Sequence, residues 1–184
     1  YQTYGSALYE IVRENPYRMA EDISGVGFRI ADEIARKSGF AMDSAPRIRA
    51  GILHVLNAGT KEGYVYMPEK LLLQEAVYQL GVSMDQLMDS LEELVYDKSV
   101  IVTEERDVYL PSLYYSEMNC ARMLFDLNVP VERPTKALDE LISRVEKSQE
   151  IVLDDQQKIA VREALTSGFL VITGGPGTGK TTTI

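Results

Sequence analysis

The sequence is poor in the side chains that build disulfides and metal sites. Its 184 residues include one cysteine and one histidine. Cys120 has no partner for an internal disulfide, and such sparse use of cysteine is typical of a reducing cytoplasm. No cysteine or carboxylate cluster surrounds His54 at metal-ligand spacing, so we expect His54 to be a packed structural residue on its helix. Both features argue against a disulfide-stapled domain and against a metal site centred on histidine.

Long hydrophobic runs are lacking as well. No window of about 18 apolar residues is present, which excludes a membrane-spanning helix on length alone. We expect no signal peptide, because residues 1–4 contain neither a basic segment nor an apolar one. The first residue is Tyr1 and not a methionine, so we expect the chain to be part of a longer protein. The composition is that of an ordinary globular protein, with 45% hydrophobic residues and no internal repeat.

The chain also lacks the excess of basic residues that marks a broad nucleic-acid surface. Its net charge is -9, and the acidic residues are concentrated in the middle. Residues 69–129 hold twelve acidic and four basic residues, whereas residues 1–68 hold eight of each. We therefore expect phosphate contacts to come from the first or last third of the chain.

A glycine-rich segment near the end carries the strongest chemical signal. Residues 174–181 read Gly-Gly-Pro-Gly-Thr-Gly-Lys-Thr, a complete G-x-x-x-x-G-K-[ST] phosphate-binding loop. Glycines let backbone N–H groups turn toward a nucleotide β-phosphate, and the helix that follows adds its positive dipole end. The apolar run 169–173 before the loop predicts a strand buried in a parallel sheet. The pattern therefore predicts that the protein binds ATP.

The chemistry of phosphoryl transfer predicts individual roles in this loop. Lys180 is expected to pair with the β- and γ-phosphate oxygens, and the Thr181 hydroxyl is expected to ligate Mg²⁺ bound with ATP, which makes both candidate catalytic residues. The predicted nucleotide-binding residues of the loop are Gly174, Gly175, Pro176, Gly177, Thr178, Gly179, Lys180, Thr181 and Thr182. Hydrolysis also needs a second acidic residue and an arginine, which are expected beyond residue 184. We therefore expect no ATP turnover by this chain alone.

A second glycine motif lies near the start of the chain. Residues 23–31 read Ile-Ser-Gly-Val-Gly-Phe-Arg-Ile-Ala, which matches the pattern h-x-G-h-G-x-x-x-A of a helix-hairpin-helix. Its two glycines permit a tight turn whose backbone N–H groups bind one DNA phosphate without reading sequence. The predicted DNA-binding residues are Gly25, Val26, Gly27 and Arg29, with the valine buried beneath the turn. The structural alternative is a plain glycine turn between two helices.

Apolar residues at helical spacing dominate the rest of the chain and predict a mainly α fold. The predicted helices are 6–15, 17–23, 28–38, 44–62, 69–80, 84–97, 112–127, 136–147 and 154–166. Strands at 99–104 and 108–110 follow two of these helices, which is the outline of a winged helix. The predicted parts are a helix-hairpin-helix region at 1–67, an acidic winged-helix-like module at 68–130, and the truncated start of a P-loop (RecA-like) α/β domain at 131–184.

The acidic module is not expected to bind DNA, although winged helices often do so through the second helix and the wing. In this sequence both elements carry carboxylates, which repel phosphates. The acidic positions are Asp85, Asp89, Glu92, Glu93, Asp97, Glu104, Glu105 and Asp107. We expect the module to be a spacer or to contact protein.

A glutamine upstream of the phosphate loop extends the pattern to a family. Residues 153–161 read L-x-x-x-Q-x-x-A-V, and with the apolar run and the loop they resemble the opening of superfamily 1 DNA helicases. That resemblance implies that Gln157, at the matching position, reads the adenine edge of ATP. An amide suits this role because it donates one hydrogen bond and accepts another.

The first half of the chain makes the resemblance more specific. Residues 15–17, 23–35, 49–52, 63–68 and 108–111 are similar to the corresponding text of RecD-like helicases of the RecD/TraA family. The resemblance implies a cytoplasmic bacterial helicase, of the kind used in DNA repair and recombination, that translocates 5′ to 3′ on single-stranded DNA. Tyr64 departs from the family pattern, in which many members have a histidine.

Two other functions remain open at this point. The chain is compatible with a DNA-binding adaptor in which the hairpin acts and the phosphate loop is vestigial. It is also compatible with a P-loop ATPase of another class, such as a loader or regulator, although Gln157 argues against that. The sequence beyond residue 184 would distinguish these alternatives, since a motor requires a further strand that ends in Asp-Glu.

Overall fold

A computed structural model describes residues 5, 8–23 and 25–183. The fold is mainly helical with one small antiparallel sheet, as predicted. The chain divides into two compact units, residues 1–117 and 118–184. Among the helices that the structure describes, none is long and apolar enough to cross a membrane.

The first unit contains six helices and three strands among its described residues. In chain order they are α1 (Leu8–Glu14), α2 (Arg18–Asp22), α3 (Phe28–Lys37), α4 (Ala45–Lys61), β1 (Tyr66–Pro68), α5 (Glu69–Leu80), α6 (Met84–Tyr96), β2 (Ile101–Val102) and β3 (Asp107–Tyr109). The helix α7 (Pro111–Leu127) begins in this unit and continues into the second. The order helix, strand, helix, helix, hairpin from α4 onward is that of a winged helix.

One hydrophobic core joins α4, α5, α6 and the sheet. Its most buried members include Ile52, Leu72, Leu87, Leu94 and Val108, each without exposed surface. Each such side chain stabilises the fold by about 1.5–3 kcal/mol relative to leaving it exposed. The helix periodicity of the sequence therefore identifies the face of each helix that packs inward.

The sheet has three strands in the order β1–β3–β2, all antiparallel. Tyr66 pairs with Tyr109 on one side of β3, and Val102 pairs with Val108 on the other. The predicted hairpin is confirmed with shorter strands, but β1 was not predicted. That strand has three residues, the last of them a proline, which is too short for alternation to be recognised.

The second unit contains the helices α8 (Thr135–Gln149), α9 (Asp155–Thr166) and α10 (Lys180–Thr183). Leu138 and Ile142 of α8 are buried together with Leu153. The Arg162 guanidinium of α9 contacts the Asp139 carboxylate of α8 at 2.7 Å. These contacts hold the two long helices of this unit against each other.

The predicted helices agree with the structure to within two residues at their ends, except that residues 6 and 7 lie outside the described part. The strand predicted at 169–173 is wrong for this structure, where the segment has no regular strand pairing. A strand exists only through hydrogen bonds to a neighbour, and the described residues provide none for it. The predicted boundary at 67/68 falls within β1 and inside the shared core, so the three-part division stays a prediction.

Candidate functional site

The phosphate loop forms a tight turn at the start of α10. Gly177 and Gly179 adopt the left-handed conformation, with φ of 77° and 73°. Glycine is the residue that enters this region without steric cost. The Thr178 hydroxyl donates to the carbonyl oxygen of Gly175 at 2.9 Å and closes the turn from the side. The loop therefore has the curvature that its glycine spacing predicts.

The ammonium group of Lys180 lies over the concave side of this turn. Nζ donates to the carbonyl oxygens of Gly174 and Gly175, the second at 2.6 Å. It also lies 3.5 Å from the Thr178 hydroxyl oxygen. A strongly hydrated cation on a flexible stem is thus placed at the centre of the loop, where its charge is compensated by carbonyl dipoles.

At two of the loop glycines a side chain would require a neighbouring side chain to move. An added Cβ on Gly174 would lie 2.7 Å from the Thr178 hydroxyl oxygen, and one on Gly179 would lie 2.5 Å from Gln157 Nε2. A cradle formed by glycine backbone, with one ammonium and two threonine hydroxyls nearby, has the chemistry that binds a polyphosphate. The composition of residues 174–182 would suit a nucleoside triphosphate, and exposed Thr181 would then be the side chain to ligate its Mg²⁺.

Gln157 occupies the third position of α9 and closes a capping box there. Its backbone N–H donates to Asp154 Oδ1 at 2.9 Å, and its Oε1 accepts from the Asp154 backbone N–H at 3.0 Å. Its Nε2 lies 3.4 Å from the carbonyl oxygen of Gly179. The structure therefore brings the predicted adenine reader to the phosphate loop, with its amide used in contacts within the protein.

A cavity of about 520 Å³ lies beside Gln157 and Lys180, between α9 and the segment that leads into the loop. Its apolar lining comes from Ile159, Ala160 and Leu170, among others. The rest of the lining is largely polar or charged and includes Asp154, Gln156 and Glu163, so the cavity has a mixed character. Of the predicted nucleotide-binding residues, Gln157, Gly174, Thr178 and Lys180 line this cavity.

The glycine hairpin joins α2 to α3. Gly25 has φ of 89°, and Gly27 is the N-cap residue of α3. Both glycines are exposed and an added Cβ would meet nothing within 4 Å at either, so the hairpin tip is open to solvent. Val26 was predicted to be buried, but in the structure it is half-buried. Ala31 is fully buried against the neighbouring helices.

Arg29 is exposed one residue beyond the first residue of α3, close to the hairpin. The four predicted DNA-binding residues therefore lie within one turn and the start of one helix, and they supply exposed backbone and one cation. Serine at position 24 lies outside the described residues. The turn and the helix that follows it have the outline of a helix-hairpin-helix tip, and its DNA contact stays a prediction.

The ion pair between Arg47 and Asp32 was not predicted from the sequence. Arg47, 4% exposed, contacts Asp32 with Nε at 2.8 Å from Oδ1, and it also donates to the carbonyl oxygens of Met42 and Leu80. The Tyr17 hydroxyl donates to the same Asp32 oxygen at 2.8 Å. Burial and this hydrogen bond raise the pKa of Tyr17. The network fixes α3 on α4 and α5, and only the fold brings these distant residues together.

His54 stacks on Phe28, with ring centroids 5.1 Å apart, and Phe28 also stacks on Tyr17. Burial lowers the pKa of His54, and the nearby charges of Arg29 and Lys61 lower it further. This half-buried histidine is therefore a packed residue, as predicted, and it lies behind the hairpin arginine.

The acidic face of α6 is partly neutralised from within the unit. Arg49 of α4 pairs with Glu93 and with Asp97. A hydrogen bond from Ser99 is the largest of the effects that lower the pKa of Asp97, and Arg49 lowers this pKa further. The carboxylates of Asp85 and Glu92 remain exposed, so the predicted negative surface of the module is present.

The fold and these sites define a chain in which a helix-hairpin-helix domain precedes a P-loop domain. Comparisons with known proteins agree. A family model described as the ATP-dependent RecD2 DNA helicase HHH domain matches residues 1–66, and one described as an AAA domain matches residues 157–184.

Two curated proteins extend the similarity. An ATP-dependent RecD2 DNA helicase of Deinococcus radiodurans is 24% identical over 193 aligned positions, covering 98% of this chain and 27% of the relative. The RecD subunit of the RecBCD enzyme of Haemophilus influenzae is 50% identical over 48 positions, covering 25% of this chain and 8% of the relative. By these comparisons the chain is similar to RecD-like helicases, and it spans about a quarter of the length of its RecD2 relative.

Proposed function

We propose that this chain is part of an ATP-dependent DNA helicase or translocase. The observation that carries the proposal is the phosphate loop, where Gly177 and Gly179 are left-handed, the Lys180 ammonium contacts the loop carbonyls, and Gln157 lies beside Gly179. The family of the matching relatives and the helix-hairpin-helix tip both favour DNA as the partner. In this proposal ATP and Mg²⁺ are the cofactors, and the cytoplasm is the compartment.

The chain's own residues would divide the work of nucleotide binding. Lys180 would exchange its carbonyl contacts for phosphate oxygens, which carry full negative charge and bind the ammonium more strongly than dipoles do. Thr181 would hold the metal, and Gln157 would read the adenine edge with its amide. Bound ATP would supply the free energy for closure of two RecA-like domains, and release of that closure would move the motor along DNA.

The hairpin would contact the DNA backbone without sequence preference. Its open tip presents Gly25 and Gly27 with Arg29 nearby, which suits a phosphate and offers nothing that distinguishes bases. The translocation polarity, 5′ to 3′ on single-stranded DNA, is proposed from the RecD-like family resemblance alone. We propose that the 184-residue chain does not hydrolyse ATP by itself. Hydrolysis also needs an acidic residue that helps to hold Mg²⁺ and an arginine that contacts the γ-phosphate, and we have assigned neither role to a residue of this chain.

DNA-stimulated ATP hydrolysis by a full-length protein that contains this chain tests the proposal. We expect Lys180→Ala to abolish turnover, because the ammonium stabilises the phosphoryl oxygens. Exposed Lys136 supplies the matched control, and Lys136→Ala should leave turnover unchanged. Equal turnover in both variants would overturn the assignment of the loop. Turnover by the isolated 184-residue chain that disappears with Lys180→Ala would overturn the claim of inactivity.

A further inference from the structure

A groove on the acidic module lies between α6 and the β2–β3 hairpin. It encloses about 320 Å³, and its lining includes Met88, Leu91, Glu92, Val95, Val102 and Arg106. All of these residues belong to the first compact unit. The groove is separate from the phosphate loop and from the glycine hairpin, and neither of those sites explains it.

The α6 wall of this groove exposes an apolar strip. Met84, Met88 and Val95 are 39%, 46% and 40% exposed, and their spacing of four and seven residues places them on one helix face. The strip runs about 16 Å along the helix, from the rise per residue. Two of its three side chains are methionines, which adapt their shape to a partner's side chains.

Carboxylates lie along one side of this apolar strip. Asp85, Asp89 and Glu92 are exposed on the same helix, each next to a member of the strip in sequence or one turn from it. Arg106 is the basic residue among those that line the groove, and its guanidinium pairs with Glu69 at 2.5 Å. The groove therefore combines an apolar floor with a rim that carries the exposed carboxylate of Glu92, and Asp85 and Asp89 add negative charge on the same helix.

This combination determines what the groove can hold. Phosphates are repelled by the rim, so DNA is disfavoured here even though the module has a winged-helix outline. A second copy of the chain, with net charge -9, is disfavoured for the same reason. An amphipathic helix with apolar residues every three to four positions and flanking Lys or Arg complements both the strip and the rim.

We propose that the groove between α6 and the β2–β3 hairpin is a docking site for a basic amphipathic helix of a protein partner. The partner's apolar side chains pack on Met88 and Val95, and its cations face Glu92 and the neighbouring carboxylates. This function is independent of ATP binding and of the DNA contact at the hairpin.

A labelled 14-residue peptide made of leucine and lysine, with leucines at helical spacing, is a suitable probe. Its binding to the 184-residue chain is followed by fluorescence anisotropy at low salt and at about 0.15 M salt. We expect saturable binding that Glu92→Lys weakens at least about fivefold, because it places like charges together. Glu62→Lys is the matched control for net charge, since Glu62 is exposed on another part of the unit and lines no part of the groove.

The apolar contact needs its own pair of variants. Met88→Gln should weaken binding of the peptide. Met118→Gln, at a similarly exposed methionine on α7, should leave that binding unchanged. Thermal unfolding of each variant shows whether the fold is retained. Equal effects of Glu92→Lys and Glu62→Lys would reduce the binding to non-specific charge attraction and overturn the proposal. Displacement of the peptide by single-stranded DNA, or self-association that Met88→Gln abolishes, would assign the groove to another occupant and overturn it too.

Discussion

Gln157 Nε2 lies 3.4 Å from the carbonyl oxygen of Gly179, and a methyl group on Gly179 would approach this amide to 2.5 Å. The first turn of α9 and the last glycine of the phosphate loop are therefore in direct contact. Because Asp154 holds the same amide through the capping box, the upstream glutamine supports the loop.

This contact predicts different effects for two glycines of one loop. Gly179→Ala adds a Cβ against Gln157 and forces a non-glycine residue to φ of 73°, so we expect ATP affinity to fall about tenfold. Gly175→Ala meets its nearest neighbour at 3.9 Å and should have little effect. Titration of both full-length variants with a fluorescent ATP analogue checks this. Similar affinities would mean that the loop tolerates a side chain beside Gln157.

The ion pair between Asp32 and Arg47 predicts a large loss of stability. Arg47→Ala leaves a carboxylate without its cation and removes two hydrogen bonds to carbonyl oxygens, so the free energy of unfolding should fall by about 3 kcal/mol. Arg36→Ala, at an exposed position of α3, should change it by less than about 0.5 kcal/mol. Urea unfolding of both variants gives the two values. A loss below 1 kcal/mol for Arg47→Ala would contradict the network.

His54 predicts a pH dependence of stability. Its pKa is lowered in the folded state, so the unfolded chain binds a proton more readily, and stability is lost as the pH falls below the unfolded value of 6.5. The chain has no other histidine. We therefore expect unfolding in urea to become easier between pH 7.5 and 5.5, and expect His54→Phe to remove most of that change. A slope that is unchanged in the variant would place its origin elsewhere.

The hairpin predicts weak DNA binding that salt reduces and base sequence does not affect. Gly25→Asp should weaken it roughly fivefold, because an anion enters the tip at a position with φ of 89°. Gly63→Asp repeats the substitution at an exposed glycine with φ of 94° outside the hairpin and should have no effect. Arg29→Glu should also weaken binding. If neither Gly25→Asp nor Arg29→Glu weakens DNA binding and added salt does not reduce it, the contact lies on another surface.

The helices could be predicted from the sequence because each has a continuous apolar face, and Pro or Gly residues mark most ends. The phosphate loop was equally accessible, since its chemistry resides in eight consecutive residues. Other features depend on residues far apart in sequence. β1 is a strand only because β3 pairs with it some forty residues later, and Arg47 finds Asp32 only after α3 and α4 pack.

The strand predicted at 169–173 shows the limit in the other direction. Its apolar composition suits a buried strand, but a parallel strand forms only when neighbours accept its hydrogen bonds. The half-buried state of Val26 has a similar cause, because burial depends on what packs around the turn. The local sequence pattern therefore predicts whether a segment is apolar or helical, but it does not predict which neighbours will pack against that segment or pair with it.

We propose that this chain belongs to an ATP-driven DNA motor. The most direct test of this proposal is unwinding by a full-length protein that contains the chain, on duplexes with a single-stranded tail at either the 5′ or the 3′ end. The account predicts ATP- and Mg²⁺-dependent unwinding of the 5′-tailed duplex, lost in Lys180→Ala and retained in Lys136→Ala. Binding to the tailed DNA without ATP-dependent unwinding of either duplex would contradict it and favour a DNA-binding adaptor.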